Sequence, residues 1–417
     1  MLIDFVIKNY LSFRDEKVFS MLCPPNVEAG KGTITIGDKQ YNSLSAIYGA
    51  NASGKTNLIN AMGFFKNMVL NSYGNDNILY GIYHQRFLFA NNNDIISMEI
   101  TIKVGENIYR YGFEINTTTE AVESEWLFVR QSGAIRESYC FKRYDGDILC
   151  NSKIFKVRKK DIESTRNNTL FLTKAALDNE PTAKAIKDWF EYSFNIISGM
   201  LVDTIMYTAG KYMNDEAMSK AIRYFMQNAD FGIDDIRVEE QTQKTRTEHG
   251  KVEEQKVLSI ETLHTSDNGN VYMPLATESL GTQKIFALLG PWIDSLKNGK
   301  TLVVDEYGAG IHTHLAKQML ELWQSPSNNG GQLIINTHDT NLLRKDLLRR
   351  DQIWFAEKDK TGATDLYSLL EYKIDQTRTV RGDASFGKDY LAGKYGAIPY
   401  FGNIDKFVTD YDSEEEN

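Results

Sequence analysis

The stretch GANASGKT, residues 49–56, has the residue types and spacing of a phosphate-binding loop. Its glycines let backbone N–H groups turn towards phosphate oxygens, and the start of a following helix adds a positive dipole. Lys55 would bring a positive charge to the β- and γ-phosphates, and the Thr56 hydroxyl would ligate Mg²⁺. The pattern predicts a nucleotide site, whose contacting residues would be Gly49, Asn51, Ala52, Ser53, Gly54, Lys55, Thr56 and Asn57.

The segments on either side of this loop have the expected character. LSAIYG, ending at Gly49, is an apolar run typical of a buried strand. TNLINAMGFFKNMVL (56–70) has the apolar spacing of a helix. A strand, a glycine turn and a helix in that order are the context that a phosphate loop requires.

A second apolar run, TLVVDEYG (301–308), ends in two acids. In an open α/β sheet the carboxyl ends of parallel strands meet at one edge, so this run would end beside the phosphate loop. Asp305 would then hold Mg²⁺, directly or through water, and Glu306 would polarise an attacking water. The alternative is a strand that simply ends in solvated acids.

QLIINTHDTN (332–341) has the same pattern of an apolar strand followed by polar residues, and His338 comes just after the strand. A histidine there can hydrogen-bond both a γ-phosphate and a water; the alternative is a surface histidine.

His312 and His314 follow the carboxylates, either as a metal pair or as residues packed at a helix start. Gln85, thirty residues after Lys55, is a candidate by position alone to join Mg²⁺ and the attacking water to a neighbouring lobe.

The stretch ATESLGTQKIF (276–286) opens an amphipathic helix about twenty residues before the acids. Thr277 or Ser279 can cap this helix, and its free N–H groups form an anion pocket around Ser279 and Gly281. Because the chain already has a phosphate loop, the pocket would be redundant unless it serves the nucleotide of another molecule. The simpler reading is a capped helix start.

The remaining sequence divides into regions of different pattern. Residues 1–48 read as short strands, 95–150 as a β-meander, 168–228 as helices, and 239–256 as a charged hairpin or mobile loop. From 271 onwards strands and helices alternate, which indicates a buried parallel sheet. We predict an N-terminal lobe at 1–165, a helical insertion with a charged hairpin at 166–265, a C-terminal lobe at 266–400 and an acidic tail at 401–417.

Composition limits the classes of function. The 417 residues are 42% hydrophobic and carry a net charge of −9, so nucleic-acid binding would need a local basic patch, such as the cluster around Arg158, Lys159 and Lys160. Three cysteines without a CxxC pattern indicate free thiols in a reducing compartment. No run is long enough to span a membrane, and the start lacks a signal-peptide pattern, so we expect a cytoplasmic protein.

The ordered set GANASGKT, ESLGTQK, LVVDEYGAGIH and NTHD resembles the ABC-type ATPase heads of SMC and DNA-repair proteins. IKNYLSF (7–13), DEYGAGIH and DYLAGKYGAIP (389–399) resemble, more closely, bacterial ATPases of the overcoming-lysogenization-defect and abortive-infection (AbiLi/RloA-like) group. The resemblance covers roughly 1–70 and 270–400 and implies an α/β P-loop NTPase fold of ABC-ATPase type, with a β-rich N-terminal lobe and an inserted helical segment.

The resemblance also implies a mechanism and a role. ATP would be held with Mg²⁺ in a dimer or higher oligomer, with Ser279 and Gly281 of one subunit capping ATP on the other. Such an ATPase would control a separate effector, often a nuclease, in anti-phage defence. ESLGTQK departs from the LSGGQ of transporters, so the capping contacts would differ. The alternatives are a DNA-engaging ATPase of the SMC type and an ATPase with its own nuclease activity.

Overall fold

A computed structural model gives the structure of most of the chain. The predicted acidic tail at 401–417 lies outside the described residues, and so does the middle of the charged segment. The described residues are 1–25, 31–89, 93–199, 202–229, 231–246, 252–374, 378–382 and 384–399.

The secondary structure mixes strands and helices along the whole chain. The strands are β1 (Leu2–Lys8), β2 (Lys17–Ser20), β3 (Leu22–Cys23), β4 (Thr33–Ile36), β5 (Lys39–Asn42), β6 (Leu44–Tyr48), β7 (Ile95–Val104), β8 (Asn107–Asn116), β9 (Ala121–Arg130), β10 (Ser138–Tyr144), β11 (Asp147–Cys150), β12 (Phe194–Ile197), β13 (Asp235–Arg246), β14 (Val252–Ser266), β15 (Gly269–Pro274), β16 (Thr301–Val304), β17 (Gln332–Asn336), β18 (Ile353–Lys358), β19 (Thr364–Ser368), β20 (Lys373–Ile374) and β21 (Arg378–Thr379). The helices are α1 (Lys55–Asn71), α2 (Lys159–Glu163), α3 (Phe171–Leu177), α4 (Pro181–Tyr192), α5 (Val202–Asn214), α6 (Glu216–Asn228), α7 (Leu280–Asn298), α8 (Thr313–Trp323) and α9 (Phe386–Leu391).

A six-stranded sheet, called the central sheet below, contains the strand before the predicted phosphate loop. It also contains the strands of TLVVDEYG and QLIINTHDTN, which were predicted to end in acidic or polar residues. Its order is β12-β16-β17-β6-β18-β19, with all pairs parallel except β18 with β19. Strands β6, β16 and β17 are buried at every residue, as their continuous apolar runs predict for strands covered on both faces. Because these three strands are parallel neighbours, their carboxyl ends lie side by side at one edge.

Strand β12 corrects the sequence analysis. Within the region 168–228 that the sequence analysis assigns to helices, the segment TAKAIKDWFEYSFNII (182–197) is predicted as helical, but α4 ends at Tyr192 and Phe194–Ile197 forms a strand. This strand pairs with β16, with Phe194 opposite Thr301 and Ile197 opposite Val304. Pairing satisfies the backbone groups along the edge of β16, and this tertiary contact outweighs the local helical pattern. The predicted insertion at 166–265 therefore gives one strand to the central sheet, and the domain boundaries themselves stay a prediction.

The predicted β-meander is present as the larger part of a second sheet. This seven-stranded sheet has the order β11-β10-β9-β8-β7-β1-β2, and every pair in it is antiparallel. Its inner face packs on α1, where Phe65 stacks on Phe113 with ring centroids 4.7 Å apart. The helix that follows the phosphate loop is thus held between the two sheets.

The central sheet has a separate core on each face. Ile47, Val303 and Ile334 point into the core that contains α1, α3, α4 and the antiparallel sheet. Their strand neighbours, such as Val304 and Ile335, point into the core formed by α7, α8 and the C-terminal segment. Alternation along each strand therefore buries both faces, and the strand ends are left as the accessible edge.

The charged segment predicted as a hairpin or loop is a hairpin in its described part. Strands β13 and β14 pair along their length, and β15 completes a three-stranded sheet. Helices α5 and α6 lie next to it, and Thr208 on α5 donates a hydrogen bond of 2.8 Å to the carbonyl of Ala287 on α7. This region is therefore attached to α7, the helix that begins within the ESLGTQK segment.

None of the helices in the described part of the chain combines the length and the apolar run that a membrane-spanning helix requires.

Candidate nucleotide site

The predicted phosphate loop lies between β6 and α1, and its two glycines are required by close contacts. Gly49 has a φ of +154° and Gly54 a φ of +111°, values that side chains disfavour. A Cβ atom on Gly49 would lie 2.3 Å from the carbonyl oxygen of Ala356, and one on Gly54 would lie 2.2 Å from Oγ1 of Thr364. Ala356 belongs to β18 and Thr364 to β19, so these two strands pack against the loop and leave no room for a side chain at either glycine.

Lys55 begins α1 and is 5% exposed. Its ammonium donates hydrogen bonds of 2.8 Å to the carbonyls of Gly49 and Ala50, which holds it under the loop. Burial lowers the pKa of Lys55 to about 8, although the charges of Asp305 and Glu306 oppose this shift. An anion bound in the loop would stabilise the protonated form.

Thr56 and Asp305 meet, as the sequence predicts. The Thr56 hydroxyl donates to Oδ1 of Asp305 over 3.2 Å, and the Ser198 hydroxyl, just after β12, donates to Oδ2 over 3.1 Å. Asn336, the last residue of β17, also donates to Oδ1 of Asp305. Hydroxyl and carboxylate oxygens in this arrangement fit Mg²⁺, which usually takes one or two protein ligands together with phosphate oxygens and water.

The backbone of Glu306 is held on both sides. Its φ is +51°, a left-handed conformation that costs about 1 kcal/mol or more for a residue with a side chain. The Glu306 N–H donates to Oδ1 of Asn336 over 2.5 Å, and the Lys284 ammonium donates to the Glu306 carbonyl over 2.8 Å. These two contacts maintain the turn that presents the Glu306 carboxylate, which is exposed.

A cleft of 520 Å³ is lined by the phosphate loop together with Glu306 and Asn336. His338 follows β17 and faces this cleft, and its pKa is lowered by burial and by the positive charge of Lys55. A neutral imidazole can donate one hydrogen bond and accept another, which suits a position between a phosphate and a water. The cleft is lined by Asn51, Ala52, Ser53, Gly54, Lys55, Thr56, Asn57, Glu306, Asn336, His338 and Lys358.

Two candidates are placed apart from this cleft. The Gln85 side chain accepts a hydrogen bond of 2.8 Å from the Tyr10 hydroxyl, so a role with Mg²⁺ would require that bond to break. Ser279 is the N-cap of α7, and its hydroxyl accepts from the Thr282 N–H over 3.1 Å. Ser279 is exposed, and its role towards a nucleotide stays a prediction.

Gly281 contacts the loop that follows the acids. A Cβ on Gly281 would lie 2.4 Å from the carbonyl oxygen of Gly310, so only glycine fits there without a shift. Together with the Lys284 contact to Glu306, this packing joins the start of α7 to the carboxylate turn of the same chain.

Contacts in the structure bear on the alternatives left open at other residues. His312 is the N-cap of α8, and its Nδ1 accepts from the N–H of His314 over 3.2 Å, which is the helix-start role. Within the basic cluster, Arg158 pairs with Asp161 at 2.7 Å and Lys159 with Glu163 at 3.6 Å. These ion pairs reduce the charge that the cluster offers to a nucleic acid.

Four residues of the site were not predicted: Ser198, Lys284, Asn336 and Lys358. Asn336 stands directly before the predicted Thr337-His338 pair, and a polar residue ending an apolar strand could have drawn attention to it. Ser198 follows a strand that the sequence analysis assigned to a helix. Lys284 and Lys358 reach the site only through the packing of α7 and β18, for which the sequence holds no signal.

The family model described as "AAA domain, putative AbiEii toxin, Type IV TA system" matches residues 44–344, from the strand before the phosphate loop to beyond His338. The chain belongs to this AAA family. The predicted α/β fold is thereby confirmed, with the phosphate loop in its expected place, and the narrower AbiLi/RloA-like assignment goes beyond this match.

Three SMC head structures are among the solved structures that the chain matches. An Smc head bound to the C-winged helix domain of ScpA has a TM-score of 0.48 at 14% identity, covering 90% of this chain and 99% of that chain. The SMC head domain from Thermotoga maritima has a TM-score of 0.44 at 12% identity, covering 88% and 98%. An Smc head domain from Pyrococcus furiosus has a TM-score of 0.44 at 13% identity, covering 88% and 96%. No curated protein matches the chain.

Anion binding by this loop is expected to take up protons near pH 8. With a pKa of about 8, Lys55 is about half neutral at that pH in the free protein, and a bound polyphosphate raises its pKa again. Binding at pH 8 should therefore take up about half a proton, and affinity should fall as the pH rises above 8 and the cation is lost. Titration calorimetry of a nucleoside triphosphate in buffers of different ionisation enthalpy measures this uptake. The same uptake in Lys55→Met would contradict the assignment.

Proposed function

We propose that this AAA-family protein binds ATP with Mg²⁺ and hydrolyses it. The hydrogen bond between Thr56 and Asp305 carries this proposal, because it joins the phosphate loop to the carboxylate strand in the cleft that also holds Glu306 and His338. Thr56 and Asp305 would hold Mg²⁺, which would neutralise charge on the phosphate oxygens.

Each remaining group has a role that its position supports. Lys55 would pair with the β- and γ-phosphates from beneath the loop. The exposed Glu306 carboxylate would polarise the attacking water and accept its proton. His338, neutral because its pKa is lowered, would hydrogen-bond both the γ-phosphate and this water. Gln85 would join Mg²⁺ to the β-rich lobe only after leaving Tyr10.

We further infer that two copies close each ATP site between them, as in ABC-type ATPases. Ser279 is the exposed N-cap of α7, and the N–H groups at the start of this helix would offer a second anion site, although the chain has its own phosphate loop. The adjacent Leu280 is 79% exposed, which suits an interface between copies. In a homodimer or higher oligomer, Ser279 and Gly281 of one copy would cap the ATP of the other.

The cellular role that we propose is control of a separate effector, such as a nuclease, in bacterial anti-phage defence. The support is the resemblance of three segments to the AbiLi/RloA-like group, together with the toxin–antitoxin description of the AAA family. Helices α5 and α6 are a suitable effector surface because Met213 and Tyr224 are exposed there while α5 packs on α7. We propose a cytoplasmic location on the same basis.

The two alternatives have less support. An SMC-type ATPase bound to DNA would need a basic patch, and in the cluster around Arg158 two of the three cations, Arg158 and Lys159, are paired with acids, while Lys160 is exposed. A nuclease within this chain would need a cluster of acidic or histidine ligands, and the residues that the structure describes contain no group of three or more such side chains able to hold a metal.

Replacing the proposed base should separate binding from hydrolysis. Glu306→Gln keeps the size and the backbone contacts of the side chain but removes the proton acceptor, so turnover should fall by about 100-fold or more with ATP affinity unchanged. Phosphate release and equilibrium binding measure the two effects. Glu321→Gln, an exposed position on α8, is the matched control. Full turnover in Glu306→Gln would remove this residue from the mechanism.

Mixing two inactive variants tests whether the sites are shared. Ser279→Arg blocks the cap and Lys55→Ala disables the phosphate loop, so each homodimer should be inactive. In a mixed dimer, one site combines an intact loop with an intact cap, so a random one-to-one mixture should recover about a quarter of the activity. Purification through two different tags shows whether mixed dimers form.

The control for this mixture pairs Lys55→Ala with a chain that carries both substitutions, which leaves no intact site. Recovery should be absent there. Mixed dimers of the first pair that form but stay inactive would count against a cap supplied by the second copy.

A further inference from the structure

A second cleft, of 230 Å³, adjoins the phosphate cleft. Asn57 and Lys358 line both clefts, so the two are continuous. The second cleft lies between the turn after β1, the segment before β7 and the tip of the β18–β19 hairpin. We call it the aromatic cleft, and the residues of its lining that matter here are Ser12, Asn57, Phe87, Leu88, Phe89, Lys358 and Gly362.

The direction of the phosphate loop shows which end of a bound nucleotide would enter the aromatic cleft. Thr56 faces Asp305, which marks the end where the metal and the terminal phosphates would lie. The next residue, Asn57, turns the other way and donates to the Ser12 hydroxyl over 2.8 Å. The nucleoside end of a triphosphate would therefore leave the loop past Asn57.

The wall of the aromatic cleft suits a flat ring. Phe89 is 80% exposed and Leu88 is 53% exposed, although Phe87 beside them is buried. The Phe87 and Phe89 rings meet edge to face with centroids 5.8 Å apart, which orients the open face of Phe89. A Cβ on Gly362 would lie 3.7 Å from the Phe89 ring, which is an ordinary contact distance, so the turn between β18 and β19 packs beside this ring and a base would stack on its exposed part.

We propose that the aromatic cleft binds the nucleobase of ATP, with the purine ring stacked on Phe89 and with Lys358 beside the ribose and the α-phosphate. This proposal rests on the proposed function, because it assumes that a nucleoside triphosphate occupies the phosphate loop. Stacking on an exposed aromatic ring covers apolar surface on both partners, and such a contact changes affinity by roughly 10-fold or more.

The test compares two ligands that differ only in the nucleoside, ATP and inorganic tripolyphosphate, each with Mg²⁺. Phe89→Ala should weaken ATP binding roughly 10-fold and leave tripolyphosphate binding unchanged, because only ATP reaches the aromatic cleft. Phe89→Trp should restore ATP affinity. Tyr80→Ala, which removes an aromatic side chain that is 83% exposed outside the cleft, is the matched control and should change neither.

The outcomes separate this proposal from the proposed function. Unchanged ATP affinity in Phe89→Ala would overturn the base assignment while leaving the ATPase proposal intact. Equal losses for ATP and tripolyphosphate would also overturn it, since the substitution would then act on the phosphate loop. If the unmodified protein binds neither ligand more tightly than Lys55→Ala does, the nucleotide site itself is wrong.

A different contact, from Lys284 to the Glu306 carbonyl, carries a second inference. Lys284 is part of ESLGTQK, the segment that would cap the nucleotide of a second copy, yet its ammonium lies 2.8 Å from the backbone of the Glu306 turn in its own chain. Asn336 holds the other side of this turn. We propose that Lys284 is a positioning residue that keeps Glu306 in its left-handed conformation and so ties hydrolysis in one site to the cap of the other.

This second inference also rests on the proposed function, and kinetics distinguish the two. Lys284→Met should lower kcat roughly 10-fold with KM and melting temperature nearly unchanged, and Lys284→Arg should recover most of the rate because it keeps the donor. A structural role would lower the melting temperature instead. Full kcat in Lys284→Met, while Glu306→Gln is inactive, would overturn the positioning role without touching the ATPase proposal.

Discussion

The hydrogen bond between Thr56 and Asp305 joins residues that lie 249 positions apart, and the site depends on it. It forms because β6, β17 and β16 are parallel neighbours whose carboxyl ends share one edge of the sheet. Asn336 at the end of β17 lies between the other two strand ends and donates to Asp305. The packing of both cores keeps these strands in register. A shift of any one strand would separate the Thr56 hydroxyl from the Asp305 carboxylate.

The turn after β16 links this edge to the rest of the protein. Glu306 keeps a disfavoured backbone conformation because Asn336 and Lys284 hold its two peptide groups. Lys284 and Gly281 both belong to the start of α7, and α5 contacts the same helix through Thr208. A change at the exposed end of α7 therefore has a short path to the Glu306 carboxylate, made of a helix and a few hydrogen bonds.

Much of the site could be predicted because its motifs are local. GANASGKT needs only its own glycines and the flanking apolar runs, and the α/β fold and the β-meander follow from periodicity. The helical reading of 182–197 was wrong over Phe194–Ile197, since a four-residue apolar strand cannot be told from a helix end by spacing. That error concealed Ser198, whose hydroxyl reaches Asp305 only because β12 lies at the edge of β16.

The sequence by itself determined which groups are the candidates for the proposed chemistry: the Lys55 ammonium, the Thr56 hydroxyl, the two acids and the His338 imidazole, each placed after an apolar strand. Only the tertiary structure decided how these groups are supported and what lies beside them. Lys284, Lys358 and Phe89 come near the site through packing between elements distant in the chain. Residue spacing encodes geometry within one strand or helix, whereas contacts between elements depend on how whole surfaces pack, and a single sequence carries no local signal for that.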